Sequence, residues 1–301
     1  MKPLVYKLNY LLVIYIAFIN NAMALTTNYQ TPLEQAQWQF SGDVFGCVIT
    51  HNVQSFGSLS LTAQPGEPLA LILAADWLSM NNTHSQASVV SPAWKNHTSQ
   101  REATTSLKWQ GNQASSKQSI APFLEALEQG LKWEVSINST DGSQYRVDST
   151  PVATRAVANN FRLCRQKLLP KPFSYVRRLD LLFDTSSSHL NTVHSKDLVA
   201  VSRYIEADST IAEVLIDGHA DASGNRIANL VLSKERADEV ASMLIELGVP
   251  ARMIQVRHHG TRAPIAANNN QQGRELNRRV SIRLVKTSAQ TASSLTSGAS
   301  Q

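Results

Sequence analysis

The second half of the chain alternates between two hydrophobic periodicities. Apolar residues recur at every second position in "RRLDLLF" and "RRVSIRLV", which predicts two strands that each turn one side to a core. Between them, "AEVLID" and "MIQVRHHG" predict two further strands, while "SKDLVAVSRYIEA" and a segment that ends at Leu247 have the spacing of amphipathic helices. This order predicts an α+β domain in which two helices lie on a small mixed sheet.

The first half has a different pattern, in which turn-forming residues separate short apolar segments. From Leu25 to about Asn138 it predicts mainly antiparallel β structure, with a helix in "SIAPFLEALEQGLKW". Asp141-Gly142 marks a hairpin turn, and "RAVANNFRLCRQKLL" predicts a further short helix. The stretch from Ser79 to Gln118 is rich in Ser, Asn, Thr and Gln, and it predicts long surface loops.

The length of the chain and a pair of prolines indicate two domains. At 301 residues it exceeds the usual size of a single domain, and Pro170 and Pro172 separate the two patterns. We therefore predict a β-rich domain at 25–169 and an α+β domain at 170–286. Residues 287–301 are mostly Ser, Thr, Ala and Gln with little to bury, which predicts a disordered tail.

Residues 1–24 have the three parts of a secretory signal peptide. Lys2 and Lys7 accompany an apolar segment at 8–19, and Ala22-Met23-Ala24 is an A-x-A cleavage site. A retained membrane anchor is the alternative, but the apolar segment is short for a spanning helix of about 20 residues. We expect the chain to be exported and the mature protein to begin near Leu25.

The charge of the chain gives no indication of a nucleic-acid partner. Removing the signal peptide and its two lysines lowers the formal net charge from +5 to +3, and no basic run is interleaved with aromatic residues. With 43% hydrophobic and 17% charged residues, the composition is that of a globular protein, which excludes collagen-like and globally disordered classes.

The cysteines predict a disulfide bond, whereas the tryptophans predict no binding site. An exported protein with two cysteines, here Cys47 and Cys164, is expected to join them in a disulfide, and two buried free thiols are the alternative. Neither cysteine has neighbours at metal-ligand spacing, so no metal site is predicted there.

A tryptophan set in a β-rich domain is more typical of core or rim positions than of a platform for sugars. All five tryptophans lie in the first half: Trp38, Trp77, Trp94, Trp109 and Trp133.

The segment "IDGHADASGNRIANLVLSKERADEV", residues 216–240, holds the main candidate chemistry. Gly218 and Gly224 allow the loop after the strand to fold tightly and bring Asp221 toward the next helix. Asn229 and Arg236 are two helical turns apart and therefore share one face of that helix. A carboxylate and a guanidinium in one cleft form a receptor for a zwitterion, since Asp221 accepts from an ammonium group while Arg236 donates to a carboxylate. The spacing also permits Asp221 and Arg236 to pair with each other as a simple salt bridge.

An enzyme that uses His219, Asp221, His258 and His259 is a rival interpretation. Adjacent histidines on a strand face opposite sides, so His258 and His259 do not readily share one metal ion. The chain has no H-E-x-x-H motif, no nucleophile elbow and no Gly-rich phosphate loop. We therefore expect a non-enzymatic protein without a cofactor.

Four motifs of the second half, in order, resemble the OmpA-like peptidoglycan-binding domain. They are G-H-x-D from Gly218, N-x-x-L-S-x-x-R-A from Asn229, G-x-x-x-P-I-x-x-N from Gly260 and N-R-R-V from Asn277. The resemblance covers about residues 175–286. In this family the D and R of the first two motifs clamp the diaminopimelate of the peptidoglycan stem peptide, which is a zwitterion.

The resemblance implies that Asp221 and Arg236 bind peptidoglycan and that Asn229 and Arg278 line the same site. Two positions depart from the family pattern. Ala220 replaces the usual Thr, and His259 stands where a Tyr is common. Neither change removes a charge of the clamp, although the lost hydroxyl groups could weaken binding.

The first half contains "PLEQAQWQFSGDVFGCVITHNVQSFG", "SPAW" and "FRLC", together with Y-x-T-P-x-x-x-x-x-W from Tyr29. These segments resemble the MotY family, periplasmic T-ring components of sodium-driven flagellar motors. Members of this family have two cysteines at corresponding places, which supports a Cys47–Cys164 disulfide.

The resemblance to this family also implies partners. The first domain would associate with the flagellar basal body and a MotX-like protein, while the second domain grips the cell wall. Together they would hold sodium-type stator units around the rotor in the periplasm. A generic cell-wall tethering protein, with the same second domain and no flagellar role, is the alternative.

Overall fold

The computed structural model describes residues 26–91 and 101–287. The predicted signal peptide, Trp94 and the predicted tail beyond residue 287 lie outside these ranges. The described residues form two compact units. The first contains 26–40, 48–62, 69–91 and 101–160, and the second contains 41–47, 63–68 and 161–287.

The first unit is built mainly on one large sheet. Its strands are β1 (Thr26–Gln30), β2 (Trp38–Asp43), β3 (Gly46–Val53), β4 (Gly57–Ala63), β5 (Ala70–Ala75), β6 (Met80–Val90), β7 (Arg101–Gly111), β8 (Gln113–Ser116), β9 (Lys132–Asn138) and β10 (Gln144–Asp148). Within the described ranges they follow the order β1-β10-β9-β6-β7-β8-β5-β4-β3-β2. β1 and β10 are parallel, whereas β10 with β9, β6 with β7 and β4 with β5 are antiparallel. A mainly antiparallel β domain with a helix, α1 (Ala121–Gln129), is thereby confirmed.

The predicted surface loops between Ser79 and Gln118 are wrong, because most of this stretch forms β6, β7 and β8. Exposed and buried residues alternate in β7 from Thr104 to Gln110, and Leu107 and Trp109 are fully buried. The indole Nε1 of Trp109 donates a hydrogen bond of 2.7 Å to Ser85 Oγ, which supplies a partner for that buried hydroxyl group. The prediction of loops relied on the polar composition of this stretch. The two-residue periodicity of its residues is the better indicator of a strand.

The second unit consists of a four-stranded sheet and helices. Its strands follow the order β11-β14-β12-β13, and only the β12–β13 pair is parallel among the pairs described. The small mixed sheet of the predicted α+β domain is therefore confirmed. In chain order the elements are α2 (Thr154–Gln166), which begins in the first unit, α3 (Phe173–Val176), β11 (Arg178–Leu182), α4 (Thr192–Ala207), β12 (Ile211–Gly218), α5 (Arg226–Glu246), a 3-10 turn (Ala251–Met253), β13 (Ile254–His258), α6 (Gln271–Asn277) and β14 (Arg279–Lys286).

Two long helices, α4 and α5, bury their apolar faces in the core of this unit. The side chain of Asn225 caps α5 by accepting hydrogen bonds from the amides of Ile227 and Ala228, and Gly248 with a φ of 94° follows its end. The predicted apolar face of α5 is buried at Ala237, Val240, Ala241 and Leu244. Across residues 26–91 and 101–287, no helix has both the length and the apolar character needed to cross a bilayer.

A disulfide joins Cys47 to Cys164, with 6.1 Å between the two Cα atoms. Both cysteines belong to the second unit, where the short segment 41–47 is also packed. The Val44 carbonyl accepts a hydrogen bond from the Leu169 amide at 2.9 Å, and the ring of Phe45 lies edge-on to Tyr204 at 5.6 Å. The predicted pairing is formed, and it anchors segment 41–47 within the second unit.

Candidate functional site

The four predicted site residues line one cavity of about 210 Å³ in the second unit. The cavity lies where β12 ends and α5 begins, beside the loop that follows β11. Asp221 comes from the loop after β12, Asn229 and Arg236 come from α5, and Arg278 immediately precedes β14. The structure therefore brings together residues that are up to 57 positions apart in the sequence.

A glycine at the end of β12 allows the helix to come close to the strand. A Cβ atom at Gly218 would lie 2.1 Å from the carbonyl oxygen of Ser233 on α5, so a larger residue cannot occupy this position without a shift. Ser233 is itself fixed, because its hydroxyl donates to the Leu230 carbonyl at 2.8 Å and accepts from the Gly260 amide at 3.0 Å. This close contact places the inner face of α5 against the loop that carries Asp221.

The loop of Asp221 is held by a small set of hydrogen bonds. Asp221 Oδ1 accepts from the Ser223 amide at 2.8 Å. The side chain of Asn229 donates through Nδ2 to the carbonyls of Ser223 and Asp221, at 2.7 and 3.2 Å. Gly224 has a φ of 80°, a conformation that favours glycine. Asn229 thus orders the loop from the helix.

Arg236 is completely buried and contacts main-chain carbonyls. Its Nε donates to Ser187 at 2.7 Å, Nη1 to His219 at 3.2 Å and Nη2 to Asp184 at 2.9 Å. Its guanidinium group also lies over the ring of Phe183, 5.3 Å from the centroid. These bonds use three of the five N–H groups of an arginine and leave one on each terminal nitrogen.

The salt-bridge partner of Asp221 is Arg278, with 3.1 Å between Oδ2 and Nη1. The alternative in which Asp221 and Arg236 pair directly is therefore wrong. Arg278 is held in turn by a hydrogen bond from its Nε to the Phe183 carbonyl at 3.0 Å. Arg236 does not pair with Asp221 because its guanidinium group donates to main-chain carbonyls of two loops. The sequence pattern does not reveal these carbonyls.

Charge is retained in this buried site. Burial alone would raise the pKa of Asp221, but the Ser223 amide and the Arg278 guanidinium outweigh it and hold the pKa below its ordinary value. Burial, together with the charge of Arg278, lowers the pKa of Arg236 to about 10. At neutral pH the carboxylate of Asp221 and the guanidinium group of Arg236 thus carry opposite charges in one cavity, a pair that can bind an ammonium group and a carboxylate on the same ligand.

The histidines of the rival enzyme interpretation have other surroundings. His259 Nε2 lies 2.9 Å from Asp217 Oδ1, and the ring of His259 stacks on His219 at 4.7 Å. Burial, with the charges of Arg279 and His259, lowers the pKa of His219 to about 4, so this imidazole is neutral at pH 7. His258 is exposed at the end of β13. In the described part of the chain, no group of three or more His, Cys, Asp or Glu side chains is placed to hold a metal ion.

Part of the cavity wall was missed by sequence reasoning. Thr185 and Ser186, from the loop after β11, line the cavity together with Ser223 and Leu232. The segment "DTSSS" carries no motif, and its contribution to Arg236 is made by the carbonyls of Asp184 and Ser187. Every residue has a main-chain carbonyl, so no signal in the sequence could have found these contacts.

Some known proteins are similar to one part of the chain, and one is similar to most of its length. Residues 29–170 match the MotY N-terminal domain, and residues 182–278 match the OmpA family. The sodium-type flagellar protein MotY of Vibrio parahaemolyticus is 24% identical over 275 residues, which cover 89% of this chain and 94% of that protein. The probable lipoprotein YiaD of Escherichia coli is 38% identical over 106 residues, and the outer-membrane lipoprotein YfiB of Pseudomonas aeruginosa is 37% identical over 102. The chain spans 48% and 60% of the length of these two lipoproteins.

Proposed function

We propose that this chain, which joins a MotY N-terminal domain to an OmpA-family domain, anchors a flagellar motor to the cell wall. Similarity to a sodium-type flagellar protein along 89% of the chain supports the motor context. The observation that carries the wall-binding role is the cavity that Arg278 also lines and in which Asp221 and Arg236 remain charged while buried. The role is structural rather than catalytic.

The ligand in this proposal is the diaminopimelate of the peptidoglycan stem peptide. Its side chain ends in an ammonium group and a carboxylate, which match the two signs of charge in the cavity. Asp221 accepts from the ammonium group, while the free N–H groups of Arg236 donate to the carboxylate. Asn229 and Arg278 act by positioning, since they hold the loop and the carboxylate of Asp221.

The partners follow from the motor context. The chain is exported through a cleaved signal peptide and works in the periplasm as part of the T ring. Its first unit associates with the basal body and with a MotX-like protein, and its second unit holds peptidoglycan. A stator must transmit torque to something fixed, and peptidoglycan is the rigid network of that compartment. A protein that binds both the basal body and peptidoglycan would keep sodium-type stator units in place around the rotor.

The test of the ligand is a pair of stem peptides that differ in one residue. Calorimetric titration of the mature protein with a peptide that contains diaminopimelate should show binding. The same peptide with lysine in that place keeps the ammonium group but lacks the carboxylate, which leaves buried donors without a partner. We expect it to bind at least about tenfold more weakly. Equal affinity for the two peptides would refute a zwitterion site.

A cell-wall tether without a flagellar role is the second candidate. The two lipoproteins are similar to only 35% and 34% of this chain, and neither is named as a flagellar protein. Swimming assays separate the two candidates. A strain that lacks this chain should lose motility and regain it with the wild-type protein, whereas unchanged motility would favour the generic tether.

A further inference from the structure

The first unit has a polar depression of its own, with a volume of about 460 Å³. It lies at the segment before β2, on β2 and β3, and at the turn from β3 to β4. Its lining is unusual in one respect, since side-chain carboxamides converge on it from several elements. They belong to Gln35, Gln37, Gln39, Asn52 and Gln54.

These carboxamides are available to a ligand. All five residues are exposed, and within residues 26–91 and 101–287 none of their side-chain amide groups makes a hydrogen bond. Each carboxamide offers two donor hydrogens and an acceptor oxygen. Val53 supplies the single apolar side chain among the described residues of the lining, and Asp76 supplies the single formal charge. The depression therefore favours a neutral ligand that both donates and accepts hydrogen bonds.

The backbone beneath two of the carboxamides is fixed. The buried hydroxyl of Thr31 donates to the Asn52 carbonyl at 2.8 Å and accepts from the Gln54 amide at 2.9 Å. Ser55, the next residue, has a φ of 62° although it is not glycine. Its carbonyl accepts a hydrogen bond from the indole Nε1 of Trp77 at 3.1 Å. A ligand would thus meet a pre-organised backbone, which lowers the entropic cost of binding.

Trp77 is joined to the lining at two points, since it follows Asp76 in the sequence and donates to the Ser55 carbonyl. It is 49% exposed, whereas the other described tryptophans, Trp38, Trp109 and Trp133, are buried. The prediction of core or rim positions includes both kinds of site, with Trp38, Trp109 and Trp133 in the core and Trp77 at the surface. Its ring is held by edge contacts with Phe56 at 5.9 Å and Tyr145 at 5.3 Å. An exposed aromatic ring with a fixed orientation offers an apolar surface to a ligand.

We propose that this depression binds a neutral oligosaccharide. Pyranose rings carry neighbouring hydroxyl groups, which carboxamides can bind as donor and acceptor at once, and they have C–H faces that stack on aromatic rings. Acetamido groups of amino sugars would pair with carboxamides in the same way. The depression belongs to the first unit and the proposal does not depend on the cavity of Asp221.

The test is a titration of the mature protein with a neutral tetramer of N-acetylglucosamine, followed by tryptophan fluorescence and calorimetry. The wild type should bind with a change in fluorescence. Trp77→Ala and the double variant Gln37→Ala/Gln54→Ala should each bind at least about tenfold more weakly. The double variant changes only exposed side chains, so it remains informative if Trp77→Ala folds poorly.

Two control variants make the result specific. Gln86→Ala removes an exposed carboxamide on β6, outside the depression, and should bind as the wild type does. Asp221→Ala should also bind the sugar normally, because its cavity belongs to the other unit. The proposal is overturned if the wild type does not bind the tetramer at millimolar concentration. It is equally overturned if both depression variants bind like the wild type, or if Gln86→Ala loses binding as they do.

Discussion

Replacing Arg236 with alanine should destabilise the second unit strongly. The guanidinium group donates three hydrogen bonds to carbonyls of two separate loops, at 2.7, 2.9 and 3.2 Å, and the side chain is fully buried. A hydrogen bond to a charged group contributes about 1.5–3 kcal/mol. The three contributions come from one group and do not add fully, and water can enter the vacated volume. We therefore expect the free energy of unfolding to fall by about 3–5 kcal/mol.

Urea unfolding followed by far-UV circular dichroism measures this loss, since the long helices α4 and α5 belong to the second unit. Arg203→Ala is the matched control, because Arg203 is an exposed arginine on α4. It should change stability by no more than about 0.5 kcal/mol. Arg236→Lys keeps the charge, but one ammonium group cannot reach three carbonyls in this arrangement, so an intermediate loss is expected. A loss below about 1 kcal/mol for Arg236→Ala would mean that the three hydrogen bonds of this guanidinium group do not stabilise the second unit.

Three further predictions concern the same unit. Removing the disulfide by Cys47→Ser/Cys164→Ser opens a loop of 117 positions, so urea unfolding should show a loss of about 4–5 kcal/mol, and an unchanged midpoint would contradict this. The lowered pKa of His219, about 4, lies below its ordinary value near 6.5, so between these pH values the unfolded chain binds a proton that the folded chain does not. Stability should therefore fall as the pH drops from about 6.5 to about 4, and His219→Gln should flatten that part of the profile. Gly218→Ala places a Cβ atom 2.1 Å from the Ser233 carbonyl, and a loss of about 2–3 kcal/mol in thermal unfolding is expected, whereas wild-type stability would show that α5 can move away freely.

Periodicity made the second unit predictable. The alternation in β11 and β14 and the apolar face of α5 follow directly from residues that must face a core, and Gly248 follows the end of the helix. The first unit was harder because its long strands β6 and β7 carry small polar residues on both sides, and Ser85, Ser88 and Thr105 are buried. Composition then suggests loops, although the buried side chain of Trp109 and its bond to Ser85 show a strand packed on a core.

The four predicted residues line one cavity, but the sequence does not reveal the contacts between them. Gly218, Asp221 and Arg236 stand out because glycines and opposite charges lie close together in the sequence. The pairing of Asp221 with Arg278 joins positions 57 apart, which only the tertiary fold can reveal. The carbonyls that hold Arg236 have no side-chain signature at all.

Binding of the second unit to the cell wall is tested by sedimentation of the mature protein with insoluble peptidoglycan sacculi. The wild type is compared with Asp221→Ala and Arg236→Ala at a temperature where circular dichroism shows all proteins folded. Asp238→Ala is the control, because Asp238 lies on the same helix but pairs with Lys234 at the exposed surface. We expect wild type and Asp238→Ala to sediment with the sacculi and the two site variants to remain in the supernatant. Sedimentation of Asp221→Ala and Arg236→Ala at the wild-type level would mean that these charges hold the fold together and do not bind the wall.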